Sequence, residues 1–367
     1  MVKKAAALFL VCASMAIWVS CGSTSGHYLY VAVPGSNEIV VYREDPNSGI
    51  LTELVGSPVT AGQAVESIAI HPSGKFLCAA NSGEGDVSIF TIAPNGGITE
   101  ITPRTVVGTA PTLAVMDPAG AYLYVGNSGS YNISVFAINS TGTTPTLTQV
   151  TGSPFPIGMS PINMEVSPSG GFLYITGAGT SSGSNTGYIE VFSLSSGILT
   201  ALPSSPFTTA ANPYGIAIDA TSSNGSFLYT ANNLDGGSIS EFTINADGSL
   251  TQFANSPFGS PYPGPFALLI DKTGSYMYVA NQASTFVTAY SIGSGGALTG
   301  LTSSPFSTGP EPSVLATDPG GKYLFVGNQK SGSATIQSFS LDPSTGTLTS
   351  VATYKLPGPP SSLGITP

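Results

Sequence analysis

The phrase GGKYLFVGN at 320–328 is written again as GAYLYVGN at 120–127 and as GSYMYVAN at 274–281. Recurrence at a fixed period constrains this chain more than any other feature, because each copy must be a unit that buries its faces against its neighbours. Aligned on the opening aromatic, the copies start at Tyr28, Phe76, Tyr122, Phe172, Phe227, Tyr276 and Tyr323, with spacings of 48, 46, 50, 55, 49 and 47 residues. After this strand each unit carries an alternating run, such as VSIF at 87–90 or ISVF at 133–136, which is a second strand signal. A Gly-bearing turn then leads to a third strand, as in NADGSLTQF at 245–253, where Asp-Gly supplies a hairpin turn. A Pro-rich loop and a fourth strand, such as YGIAID at 214–219, complete the unit.

Seven units of four strands predict an all-β fold, a seven-bladed β-propeller of four-stranded antiparallel blades. Radial stacking buries each sheet between two others and leaves only short edges. The first unit has no strand of the fourth type before Tyr28, whereas the chain finishes with SSLGI at 361–365, which matches YGIAI at 214–218 in pattern. The C-terminal strand is therefore expected to join the first blade as its innermost strand. Gly 45 and Pro 29 fall at the turns of this period, and the repeats leave no gap for a second domain between 28 and 367.

Residues 1–21 read differently. Lys3 and Lys4 precede an uncharged apolar and small-residue run from Ala5 to Ser20, then Cys21, which together form an export signal. Val-Ser-Cys followed by GSTSG resembles a bacterial lipobox, in which Cys21 is lipidated and 22–27 forms a flexible tether; Trp18 departs from that pattern. Plain secretion and an uncleaved membrane anchor stay open beside lipidation. Each outcome places the propeller outside the cytoplasm, in or beyond a bacterial cell envelope. Membrane contact is expected only through this segment, and the propeller is expected to be a monomer.

The formal charge is −10, or −12 once Lys3 and Lys4 are lost with the leader, and charged residues make up only 8% of the chain. Such a surface repels phosphate backbones and excludes nucleic acid as a partner. Cys78 is the one thiol of the propeller, so no internal disulfide can form, and it occupies a strand position that Tyr124 and Tyr174 fill elsewhere. No His or Cys pair has ligand spacing and no Asp-x-Asp-x-Asp-Gly loop occurs, so neither a metal nor a cofactor is expected.

The YLYVGN strands, the Ser-Pro-Phe triplets at 153, 205, 256 and 304, and the turns HPSGKFL at 71–77 and DPGGKYLF at 318–325 resemble the seven-bladed lactonase family, which includes 6-phosphogluconolactonase-like proteins. The resemblance spans 28–367. It implies a propeller and a possible lactone hydrolase with His, Arg and carboxylates near the central channel.

That constellation cannot be assembled from these residues. His71 lies in a turn on the face opposite the loops that lead into the innermost strands, where other units place Asp117, Asp219, Asp271 and Asp318, and it reads as a turn cap. Arg43 and Arg104 belong to outer strands or the rim. Asn81, Asn127, Asn232, Asn281 and Asn328 recur in five of the units and read as amides that satisfy backbone, because an active site is needed only once. Two carboxylates stand out. Glu165 lies inside an innermost strand where the aligned residues are Ala69, Val115, Ala217, Leu269, Ala316 and Gly364; burial there would raise its pKa and suit it to proton transfer, or it merely touches channel water. Glu66 aligns with Thr112, Ile162, Tyr214, Phe266, Ser313 and Ser361 at the channel mouth, a ring that forms a small-molecule site or packs the mouth shut.

Glu165 and Glu66 are thus the candidate catalytic residues, and Asn163, Tyr214 and Phe266 the candidate ligand contacts. Three readings follow: a binding or interaction propeller for a protein, a glycan or a small lactone; a lactone hydrolase; and a structural envelope protein. The absence of a basic cluster counts against a phosphate ester. A deep pocket joining Glu66, Asn163, Glu165 and Tyr214 would favour catalysis, and a flat face would favour binding.

Overall fold

The computed structural model describes residues 26–142, 144–179, 186–219, 226–233 and 236–367. The expected export signal, Cys21 and most of the expected tether lie outside these residues, as do 180–185 of the Gly-rich segment at 177–187. Among the described residues no helix is long and apolar enough to cross a membrane.

Seven antiparallel sheets follow one another in chain order. The innermost strands of blades 2 to 7 are Val65–Ile70, Pro111–Met116, Met159–Val166, Pro213–Asp219, Pro265–Ile270 and Pro312–Thr317. Blade 1 takes its innermost strand from the other end of the chain: Ser362–Ile365 pairs with Tyr28–Val33, with Leu29 opposite Ile365 and Ala32 opposite Ser362. Thr366 Oγ1 also accepts the Tyr28 N–H at 2.9 Å, the capping position that Asp117, Asp271 and Asp318 hold for Tyr122, Tyr276 and Tyr323. The expected one-plus-three closure is therefore present, and the core is seven apolar slabs, one between each pair of adjacent blades.

The repeated aromatics explain how the slabs lock. The first aromatic of six of the seven phrases covers a turn glycine of the next blade: Tyr28 lies over Gly96, Tyr122 over Gly197, Phe172 over Gly248, Phe227 over Gly296, Tyr276 over Gly346 and Tyr323 over Gly49. Each of these glycines has a positive φ, and a Cβ there would sit 2.0–2.5 Å from the nearest ring atom. The second aromatic reaches the same turn with its hydroxyl. Tyr30, Tyr174, Tyr229 and Tyr278 donate to the carbonyls of Gly96, Gly248, Gly296 and Gly346 at 2.6–3.1 Å. These phenols are buried, and a buried donor that found no acceptor would be costly. Cys78 replaces the second aromatic in blade 2, and burial pushes its thiol up to about 12, which leaves it inert.

The other repeated words are also structural. In five blades the serine of Ser-Pro lies in the turn after the short fourth strand and accepts an N–H from the third: Ser57 from Val41, Ser153 from Val135, Ser205 from Val191, Ser256 from Glu241 and Ser304 from Ala289, at 2.8–3.0 Å. The residues that follow pair briefly with the third strand as a fifth segment, which the four-strand expectation did not include. Blades 2 and 7 instead extend the fourth strand, over Ile98–Val106 and Leu348–Lys355. The five asparagines are fully buried and tie the second strand to the third; Asn81, Asn127, Asn232, Asn281 and Asn328 donate to Ser88, Ser134, Ser240, Thr288 and Thr335 at 2.9–3.1 Å.

Adjacent glycines give a controlled test of the aromatic lock. Gly296 has φ +84° and its Cβ would meet the Phe227 ring at 2.5 Å, whereas nothing lies within 4 Å of Gly295. Gly296→Ala is expected to cost more than about 2 kcal/mol in urea unfolding, and Gly295→Ala less than about 0.5 kcal/mol. Equal losses would contradict the lock.

Candidate functional site

A bowl of about 410 Å³ opens where the innermost strands begin. Its wall is the aligned ring Glu66, Thr112, Ile162, Tyr214, Phe266, Ser313 and Ser361, one residue per blade. In blades 2 to 7 this residue is the extra member of a β-bulge, skipped in the pairing register between the proline or valine before it and the residue after it. A bulge re-aims one side chain out of the alternation of its strand. Six copies of the same bulge, with Ser361 ahead of the closing strand, turn seven side chains toward one axis.

Blade order fixes what faces what. Glu66 on blade 2 stands across the ring from Tyr214 on blade 5 and Phe266 on blade 6, whose rings stack at 4.6 Å with 27° between planes. Ser313 and Ser361 occupy one flank, and Thr112 and Ile162 the other. Burial pushes the Glu66 carboxyl above its ordinary range, opposed by a hydrogen bond from the Ser82 hydroxyl. No Lys or Arg is among the lining residues.

Asn163 also lines the bowl, but its Oδ1 accepts the adjacent Met164 N–H at 2.9 Å. Glu165 does not line it. It lies two residues further down the channel, half-buried, opposite Tyr174 on the neighbouring strand. Its carboxyl accepts the backbone N–H of Ile218 from the inner strand of blade 5, yet desolvation dominates and pushes its pKa up to about 8. The structure therefore brings Glu66, Asn163, Tyr214 and Phe266 together and leaves Glu165 beneath them as a strap between two blades.

The remaining candidates follow their turn-capping reading. His71 Nδ1 accepts the Ser73 N–H at 3.1 Å, Nε2 donates to the Gly120 carbonyl at 3.1 Å, and the ring stacks on Phe76. Arg104 is held at the rim by Glu84 and Glu100. Among the described residues no group of three His, Cys, Asp or Glu could hold a metal.

Three further lining residues, Gln329, Ser67 and Ser362, lie outside the aligned ring. Gln329 lines the bowl, accepts from Gln282 Nε2 at 3.0 Å and donates to the Pro360 carbonyl at 2.9 Å, so a chain of amides braces blades 6, 7 and 1. The signal was present in sequence, since both glutamines follow the repeated asparagine.

A seven-bladed propeller with a polar bowl at the mouth of its channel is the class of protein these features define. The family described as Lactonase, 7-bladed beta-propeller, matches residues 23–158 and 143–313, and the chain belongs to it. A 6-phosphogluconolactonase of Formosa agariphila is 33% identical over 87 residues, a stretch that covers 23% of this chain and 24% of that protein. Among solved structures, the Pseudomonas aeruginosa periplasmic gluconolactonase matches with a TM-score of 0.73 and 20% identity, over 94% of this chain and 99% of that one. A Bacteroides fragilis protein with a provisional 6-phosphogluconolactonase assignment matches with a TM-score of 0.77 and 20% identity, over the same shares. At this identity the structural matches establish the fold.

The displaced pKa of Glu165 predicts a pH dependence. Unfolded, a glutamate titrates near 4.3, roughly; folded, this one holds its proton up to about 8. Its stabilising contribution is complete below the unfolded value and is lost as pH rises through the folded one. Glu44, buried at the opposite end of blade 1 with both carboxylate oxygens unpartnered, is pushed up to about 7 by desolvation and adds a loss of the same sign. The urea midpoint should fall as pH is raised from about 5 to about 8, and less steeply in Glu165→Gln. An identical slope in the variant would show that Glu165 is already ionised in the folded protein.

Proposed function

We propose that this member of the lactonase propeller family is an exported binding module whose bowl takes one hydroxylated sugar-type compound that carries no phosphate, such as a glycan end, a sugar lactone or its open acid. The observation that carries the reading is the composition of the ring: an aromatic pair on one wall, a single acid on the opposite wall, hydroxyls between, and no cation. An aromatic face stacks on the apolar face of a sugar ring while an acid and hydroxyls take its hydroxyl groups. A phosphorylated ligand would meet Glu66 with no Arg or Lys to offset it. The leader supports export, with Cys21 as the lipid attachment and the propeller held as a monomer at the envelope surface. The periplasmic location of the Pseudomonas relative agrees with that placement.

Lactone hydrolysis is the second reading, and the raised pKa of Glu66 favours it. A carboxylate on the bowl wall could take a proton from water attacking the lactone carbonyl. Glu165 would then act only through the blade 4 to blade 5 strap.

The test is a panel of neutral sugar lactones and 6-phosphogluconolactone, with hydrolysis measured above the uncatalysed rate and binding measured by calorimetry. The expected result is binding of neutral members, no binding of the phosphorylated one, and loss of at least about tenfold in affinity in Glu66→Gln and Tyr214→Ala. Turnover abolished by Glu66→Gln would establish the hydrolase. Preference for the phosphorylated lactone would overturn the ligand class.

A further inference from the structure

An innermost propeller strand has one neighbour, so every second backbone N–H on it points away from the sheet and needs an acceptor from elsewhere. At the level just below the ring the chain supplies acceptors to three of the seven. The Ile68 N–H donates to Ser362 Oγ on blade 1 at 3.1 Å, the Ala114 N–H to Ser67 Oγ on blade 2 at 3.1 Å, and the Met164 N–H to Asn163 Oδ1 at 2.9 Å. In the first two, a serine on one blade caps the amide one residue further along on the next blade.

The series then stops. The positions equivalent to Ser67 in blades 5, 6 and 7 are Gly215, Ala267 and Val314, as their pairing with the second strand shows, and none carries an oxygen. Asn163 has its oxygen turned to its own strand. The amides left without such a cap are those of Ile216, Leu268, Leu315 and Leu363, on the consecutive blades 5, 6, 7 and 1. All four residues line the bowl, while the capped Ile68, Ala114 and Met164 do not. Gly215 keeps the Leu268 amide uncovered, since a Cβ there would sit 3.1 Å from its nitrogen. One level lower the protein shows what such an amide accepts, for the Ile218 N–H takes a carboxyl oxygen of Glu165.

We propose that the four amides form an arc that binds a carboxyl-type sp² oxygen of the ligand, either the carbonyl of a lactone ring or the carboxylate of its open acid. This deepens the sugar-binding reading of the bowl and rests on it. The arc lies beneath the Tyr214–Phe266 wall and the serine flank, away from Glu66, so the carbonyl end of a bound ring points toward blades 5 to 1 and its hydroxyls face the acid. The arrangement distinguishes a lactone from the corresponding cyclic polyol, which has the same hydroxyls and no such oxygen.

The test uses the full chain and four stable probes in calorimetry: gluconolactam and 1,5-anhydroglucitol, which are rings with and without the carbonyl, and gluconate and glucitol, which are open chains with and without the carboxylate. The variant Ala267→Ser/Val314→Ser places hydroxyls where Ser67 and Ser362 stand and should cap the Leu315 and Leu363 amides; Ala267→Ser alone serves if the double variant melts early. The expected result is that the wild type prefers at least one carboxyl-bearing probe over its partner by about tenfold or more. The variant should lose that preference while keeping its affinity for 1,5-anhydroglucitol. Preference for the lactam alone assigns the arc to lactones, and preference for gluconate alone assigns it to open acids. Equal affinities within both pairs in the wild type, or a preference that survives in the variant, overturns the arc and leaves the bowl intact. Binding of none of the four overturns the bowl reading itself.

Discussion

The contact of an aromatic ring with a turn glycine of the next blade carries the rest of the structure. It recurs at six of the seven blade junctions, and at four of them a phenol hydroxyl bonds a carbonyl of the same turn. The contact sets the distance between neighbouring sheets and the angle at which they fan around the axis. Seven such angles must add to a full turn, so the width of the channel, and with it the spacing of the ring at its mouth, is decided at the outer end of the molecule.

The site inherits its precision from that frame, and its chemistry from departures within the repeat. Positions that recur, such as the five asparagines and the serines of Ser-Pro, are spent on satisfying backbone where strands end. Positions that differ from blade to blade are free of that duty. The seven ring residues are all but unlike one another, and so are the residues one level below. A single ring of equivalent positions thus becomes an asymmetric bowl with an acidic wall, an aromatic wall and a floor capped on one side only.

Most of the architecture was legible in the sequence because period and alternation report directly on which residues face a neighbouring sheet. The aromatic that opens each phrase, the closing strand and the alignment that put Glu66 with Tyr214 and Phe266 all followed from counting. Other features did not. A bulge leaves no mark in residue types, so nothing in VES or PYG announced that the middle residue is turned toward the axis. Glu165 was conspicuous as an acid among small apolar residues, but its hydrogen bond to Ile218 depends on a neighbouring strand 53 residues further on. The uncapped amides were invisible for a simpler reason, since backbone groups have no letter of their own.

The closing strand has a consequence in time as well as in space. Ser361 and Ser362, which contribute to the bowl wall and to the cap on Ile68, lie within the last seven residues of the chain. Chain growth must therefore reach this strand before blade 1, and with it the ring of blades, can close. A chain cut before residue 361 would carry six complete blades and an open first one, with one member missing from the ring at the mouth.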